Sequence, residues 1–350
     1  MKAILKYKIK LTLPLFIIGA IILVISSVMI LQRETVFPFN NYYETFFTNN
    51  LVNSMEVIQI VYAIIAVITG IVVTGEYRNK DVENFLSALP CKKSSRLVIS
   101  IMPGIVFFIG SCLILMVVSA ISYNIHFNYY SEINMLSYNY EELCKADSLG
   151  NGWMYIIQNT LTWLMIYMIT VFVGVISRNI VVAAIILLGI AVMPTYIPGV
   201  INNIMLETCF AEIPFYEKIT HIGGISYAFS EVSVIDAYDL SYVYYAYMIE
   251  RAVFSGVMFV FFVVITYIVV LKTDRTYGKL VAGRFMERLL IVMAGLYGAF
   301  ILPMFRAGIM DIEMMVPLTI LIFVVMEFIL FRFVSSSGKY DYLNAGGDKK

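Results

Sequence analysis

The sequence predicts an all-α, polytopic transmembrane helical bundle of about eight spans, with both termini cytoplasmic. Three observations predict it. The chain is 61% hydrophobic and only 14% charged over 350 residues, where a soluble domain carries about 25% charge. Its apolar residues come in blocks of about 20, the length at which a helix crosses a bilayer. Its Lys and Arg residues collect in alternate segments between those blocks. On this topology 19 of the 24 lie on the side that holds the N-terminus, which the positive-inside rule assigns to the cytoplasm.

The spans fall near 11–31, 55–74, 97–122, 154–176, 180–203, 250–271, 289–306 and 313–333. Pro194 and Pro198 interrupt the fifth, and Pro303 lies near the end of the seventh. A proline frees backbone groups, which a membrane tolerates only where neighbours or water satisfy them. The first block follows Lys2, Lys6, Lys8 and Lys10. It is longer than a signal-peptide core, and no A-x-A site follows it, so it reads as a span. Residues 1–334 therefore form one membrane domain of a multi-pass protein of the cytoplasmic (plasma) membrane. The tail SSSGKYDYLNAGGDKK, 335–350, is small and polar and reads as disordered.

The longest segments between spans are 32–54, 123–153 and 204–249, all on the outer side. The third has apolar pieces too short to span, broken by Pro214 and Gly223-Gly224. It reads as short interfacial helices, with Tyr242, Tyr244, Tyr245 and Tyr247 in the aromatic belt. Cys144 and Cys209 fall in two different outer segments. A disulfide between them is open to them in an oxidising exterior; two free thiols is the plainer reading.

The chemistry that is missing narrows the function. Net charge is zero, so nothing points to nucleic acid. There is no G-x-x-x-x-G-K-[ST], no H-E-x-x-H, no C-x-x-C and no G-x-S-x-G. The two histidines, His126 and His221, are far apart. The chain reads as no enzyme, with no catalytic, cofactor or metal residues of its own. One acid, Glu327, lies inside a span, with Arg332 five residues on. It is either a functional intramembrane pair or a carboxylate that meets Arg332 near the membrane edge. Gln59, Thr69, Gln158, Asn159, Thr160, Thr162 and Thr170 also lie in spans. They line a path or serve as hydrogen-bonding glue between helices. Ala294, Gly295, Gly298 and Ala299 allow close helix approach.

A compact charged island, GEYRNKDVENFLSALPCKKSSR at 75–96, separates the second and third spans. Asn79 or Asp81 can cap a short helix there, and Pro90 ends it. Val82, Phe85, Leu86 and Leu89 stand at i, i+3, i+4 and i+7, one face of that helix. So short a helix needs something to pack on. The membrane lipid is one partner, with Lys92, Lys93 and Arg96 on anionic headgroups. A protein groove that takes Phe85 and Leu86 is the other.

A basic start, a second span ending in Gly75-Glu76, an amphipathic helix, Leu89-Pro90 and a basic opening to the third span resemble the permease subunits of ABC-2-type transporters. The long Tyr-rich outer segment and KTDRTYGKLVAGRFMER before two further spans resemble an eight-span branch of that family. The family's Gly-Thr is absent, with Lys80 and Asp81 in its place. The resemblance implies a coupling helix at 79–90 that docks on a separate ABC ATPase subunit. Glu76, Val82, Phe85, Leu86, Leu89, Pro90 and Arg96 would carry that docking. It also implies a second permease subunit in a homo- or heterodimer, ATP and Mg held by the ATPase rather than by this chain, and export as the direction. The rivals are a stand-alone channel, carrier or immunity-type protein with 79–90 on lipid, and a membrane-embedded lipid enzyme.

Overall fold

The computed structural model describes residues 2–32, 46–78, 92–134, 148–177, 179–190, 240–272, 281, 284–306 and 317–329. Every regular element among them is helical, apart from one isolated bridge between Ser177 and Val281. In chain order the helices are α1 (Lys2–Leu31), α2 (Phe46–Val73), α3 (Lys93–Asn134), α4 (Leu149–Ile176), α5 (Ile180–Ile190), α6 (Leu240–Lys272), α7 (Arg284–Arg306) and α8 (Pro317–Ile329). A short 3-10 turn, Gly75–Tyr77, follows α2. Five of these helices, α1, α2, α3, α4 and α6, are long and apolar enough to cross a membrane. They match the first four and the sixth of the expected spans. The described parts of the fifth and eighth, α5 and α8, are shorter apolar helices.

The chain forms two compact units. The first holds Met1–Gly174 and Tyr227–Leu271, and so α1, α2, α3 and nearly all of α4 and α6. The second holds Val175–Ser226 and Lys272–Lys350.

The first unit is built with its polar side inward. In α1 the buried positions are Ile4, Lys8, Thr12, Gly19, Leu23, Ser26 and Ile30, repeating every three, four or seven residues along one stripe. The opposite face is Leu13, Ile17, Ile21, Val24 and Val28, all exposed. A water-soluble helix would show the reverse. Here lipid is the solvent, so large apolar side chains face out and small or hydrogen-bonded ones pack against neighbours.

Helix α4 is the centre of this unit, and almost all of its apolar window is buried. Around Trp163 gather Tyr62 of α2, at a ring distance of 4.8 Å, and Phe108 of α3, at 6.4 Å. Tyr167 donates its hydroxyl to Ile101 O of α3 at 3.0 Å. Its ring lies over Gly104, where a Cβ would stand 2.5 Å from Cζ. Gly104 is thus what lets α3 and α4 approach. Thr160, Thr162 and Thr170 each bond a carbonyl four residues back on α4, at 2.8, 3.0 and 2.8 Å. Asn159 Nδ2 does the same with Tyr155 O at 2.9 Å. Each of these side chains has a partner within its own helix.

Helices begin earlier than the hydrophobic blocks suggest. α1 already includes the four lysines, and α3 runs from Lys93 to Asn134 as one helix. Intrahelical bonding continues beyond the apolar limit because water-exposed turns need no tertiary partner. The Tyr run at 242–247 is likewise helical. Its backbone forms the first turns of α6, where separate interfacial helices were expected.

Candidate functional site

The second span ends where α2 gives way to the 3-10 turn. Glu76 in that turn is buried, although it is charged and follows directly on an apolar helix. Lys8 of α1 accounts for it. Its Nζ lies 2.8 Å from Glu76 Oε2, with the two side chains 1% and 7% exposed. The same ammonium donates to Val73 O at 2.5 Å, one of the last carbonyls of α2, which have no intrahelical donor. A cation at that end is also favoured by the helix dipole. The other carboxylate oxygen, Oε1, accepts from Ser100 Oγ of α3 at 3.3 Å. Three helices thus meet in one polar node: Lys8 from α1, Val73 and Glu76 from the end of α2, and Ser100 from α3. Among the described residues, every atom that this node presents has a partner.

A second set of contacts closes the same turn. Thr74 Oγ1 donates to Gly70 O at 2.7 Å. Arg78 bonds back to Ile71 O through Nη2, and Nη1 donates to Thr74 Oγ1 at 3.4 Å. Partial burial lowers the Arg78 pKa through desolvation, from a reference so high that the guanidinium stays charged. Gly174 of α4 fits beneath this pair: a Cβ there would collide with Thr74 Oγ1 and lie 3.3 Å from Arg78 Nη1. Gly75 is different, since a Cβ there would meet only Arg78 Nη2 at 3.9 Å. Of the Gly-Glu pair, the acid is the residue with a structural task.

Of the docking residues expected from the sequence, Glu76 and Arg96 are described. Arg96 is half-buried in the first turn of α3. It stands four residues before Ser100, on the same helix face. Val82, Phe85, Leu86, Leu89 and Pro90 lie outside the described residues. So do Cys144, Cys209 and Arg332, so neither the disulfide nor the Glu327–Arg332 pair is observed. Cys112 is a free, buried thiol. Within the second unit, α8 packs closely on the small residues of α7. A Cβ at Gly295 would stand 2.5 Å from Glu327 Oε1, and one at Gly298 would stand 2.9 Å from Met326 Cε. Glu327 Oε1 has no hydrogen-bond partner among the described residues.

Lys8 is the residue of this node that residue type alone does not single out. With Lys2, Lys6 and Lys10 it marks a side of the membrane and nothing more. The signal was its spacing: Lys8, Thr12 and Gly19 share one helix face, while Lys6 and Lys10 do not.

The fold and this node define a multi-pass helical membrane protein whose first three spans are tied together at one end by an ion pair and a hydrogen bond to the same carboxylate. No family model matches the chain, and neither a curated protein nor a solved structure is similar to it.

Proposed function

We propose that the chain is the membrane-spanning permease subunit of an ABC transporter, working as an exporter. It spans the cytoplasmic membrane about eight times, with both termini inside. A separate ATPase subunit, which holds ATP and Mg, docks on the amphipathic segment 79–90. A second permease subunit completes the assembly. The observation that carries this reading is the Lys8–Glu76–Ser100 node. It anchors the turn from which segment 79–90 departs, and the segment returns to the protein at α3, which Ser100 ties to the same carboxylate. A push on 79–90 is therefore delivered to α1, α2 and α3 together instead of being absorbed in a loose loop. A segment that only rested on lipid would need no such root.

The test is co-purification. The tagged chain is extracted gently from its native host beside a Phe85→Asp/Leu86→Asp variant. A P-loop ATPase that accompanies the parent and is lost from the folded variant supports the reading. No ATPase, under conditions that preserve a known permease complex, overturns it and leaves a stand-alone channel or carrier in its place.

A further inference from the structure

Among the described residues of the first unit, a few buried polar side-chain atoms have no hydrogen-bond partner, and one of these few is informative. Gln158 of α4 is 3% exposed, yet its Oε1 accepts no hydrogen bond from any described residue. A buried amide oxygen without a donor costs the full desolvation of that group. Leu or Met would fill the volume without that cost, so the position calls for a donor.

The surroundings of Gln158 indicate where a donor would come from. One turn further along α4, Thr162 Oγ1 meets Ser255 Oγ of α6 at 3.3 Å. Next to this pair, the Cβ position of Gly256 is 4.0 Å from Leu161, and still further along both helices Phe172 and Phe262 pair at 5.5 Å. From Thr162–Ser255 to Phe172–Phe262 the contacts ascend both helices in the same sense, so α4 and α6 run parallel here. One turn before Thr162 is Gln158, and one turn before Ser255 is Arg251, so the two stand at the same level on facing helices. Arg251 is half-buried, and its charge and that of Glu56 both act on the Tyr155 hydroxyl. Gln59 of α2 donates to that hydroxyl. Polar groups of α2, α4 and α6 therefore collect at one level, near the N-terminal ends of α4 and α6. A membrane-exposed surface of that composition would be costly, whereas a wet one would not.

We infer that water enters between α4 and α6 from their N-terminal ends and reaches Gln158, forming a polar crevice bounded by Gln158, Thr162, Arg251 and Ser255. Its ligand in the resting protein is water donating to Gln158 Oε1. A solute that displaces this water must bring a hydrogen-bond donor to the same oxygen. The inference does not rest on an ATPase partner, since a channel or carrier would use the same crevice.

Cysteine accessibility tests it. In the full chain with Cys91, Cys112, Cys144 and Cys209 replaced by Ala, single cysteines are placed at Ser255, Gln158, Val257 and Leu115. Open membranes are treated with the hydrophilic reagent 2-sulfonatoethyl methanethiosulfonate, which reacts with thiolate. Ser255→Cys and Gln158→Cys are expected to react at least about tenfold faster than Val257→Cys on the outer apolar face or Leu115→Cys in the dry interior, because a thiol ionises readily only where water reaches it. Adding Gln158→Leu to Ser255→Cys should slow its labelling several-fold. Ser255→Cys is nearly isosteric and keeps the test decisive if Gln158→Cys does not fold. Labelling of Ser255→Cys no faster than of Val257→Cys overturns the inference, as does a rate unchanged by Gln158→Leu.

Discussion

Lys8 Nζ stands 2.8 Å from Glu76 Oε2, and both side chains are almost wholly withdrawn from solvent. Removing one partner leaves the other charge buried and uncompensated, a loss of about 3–5 kcal/mol, whereas removing both is far less costly. Lys8→Met and Glu76→Leu should each lower the midpoint of thermal unfolding in detergent. The double variant should recover most of the loss. A double variant that loses the sum of the two single losses would show that the two side chains do not form a pair.

The same variants separate stability from coupling. If the node transmits motion from segment 79–90, the double variant should remain folded and keep any ATPase partner. Its ATPase activity should then respond less to the presence of the membrane subunit. The check is ATP turnover of the purified complex against that of the isolated ATPase. A double variant with parental coupling would confine the node to a structural role.

At Gly104 a Cβ would lie 2.5 Å from the Tyr167 ring. Gly104→Ala should therefore overpack the α3–α4 contact and cost about 1–3 kcal/mol. Tyr167→Phe loses only the bond to Ile101 O, and should cost about 1 kcal/mol. The two are compared by thermal unfolding in detergent. Gly104→Ala without effect would mean that α3 and α4 stand further apart than described.

Both tryptophans of the chain, Trp153 and Trp163, belong to α4. Trp163 is 2% exposed. In vesicles made with brominated lipid, its fluorescence should be quenched little, because Tyr62 of α2 and Phe108 of α3 pack against it. Measured in a Trp153→Phe background, Val257→Trp on the outer face should be quenched strongly. Quenching of Trp163 as strong as that of Val257→Trp would place α4 at the lipid boundary.

What the sequence made legible follows what lipid and water impose. Block length and positive charge gave α1, α2, α3, α4 and α6, because only a long apolar helix crosses hydrocarbon with its backbone satisfied. By residue type, the polar residues of α4 suit a path and glue equally. Thr160, Thr162, Thr170 and Asn159 turn out to bond their own helix, while Gln158 does not. The short Thr and Asn side chains reach the carbonyl four residues back, whereas what the longer Gln158 amide meets depends on the facing helix. Glu76 stands out as an acid at the end of an apolar block, but Lys8 does not stand apart from its neighbouring lysines. Its partner comes from another span, and pairing between helices leaves no mark on local composition.

The most deeply buried helix of the first unit is also the least apolar of its five spans. A nascent segment partitions sideways into lipid according to its own hydrophobicity, and α4 has the weakest claim to do so alone. Its natural destination is the cradle that α1, α2 and α3 have already made by the time it emerges from the ribosome. The chain order is thus an assembly order. Lesions in the first three helices, including loss of the clamp that gathers them at one end, should show themselves as α4 stranded outside the bilayer and handed to quality-control proteases.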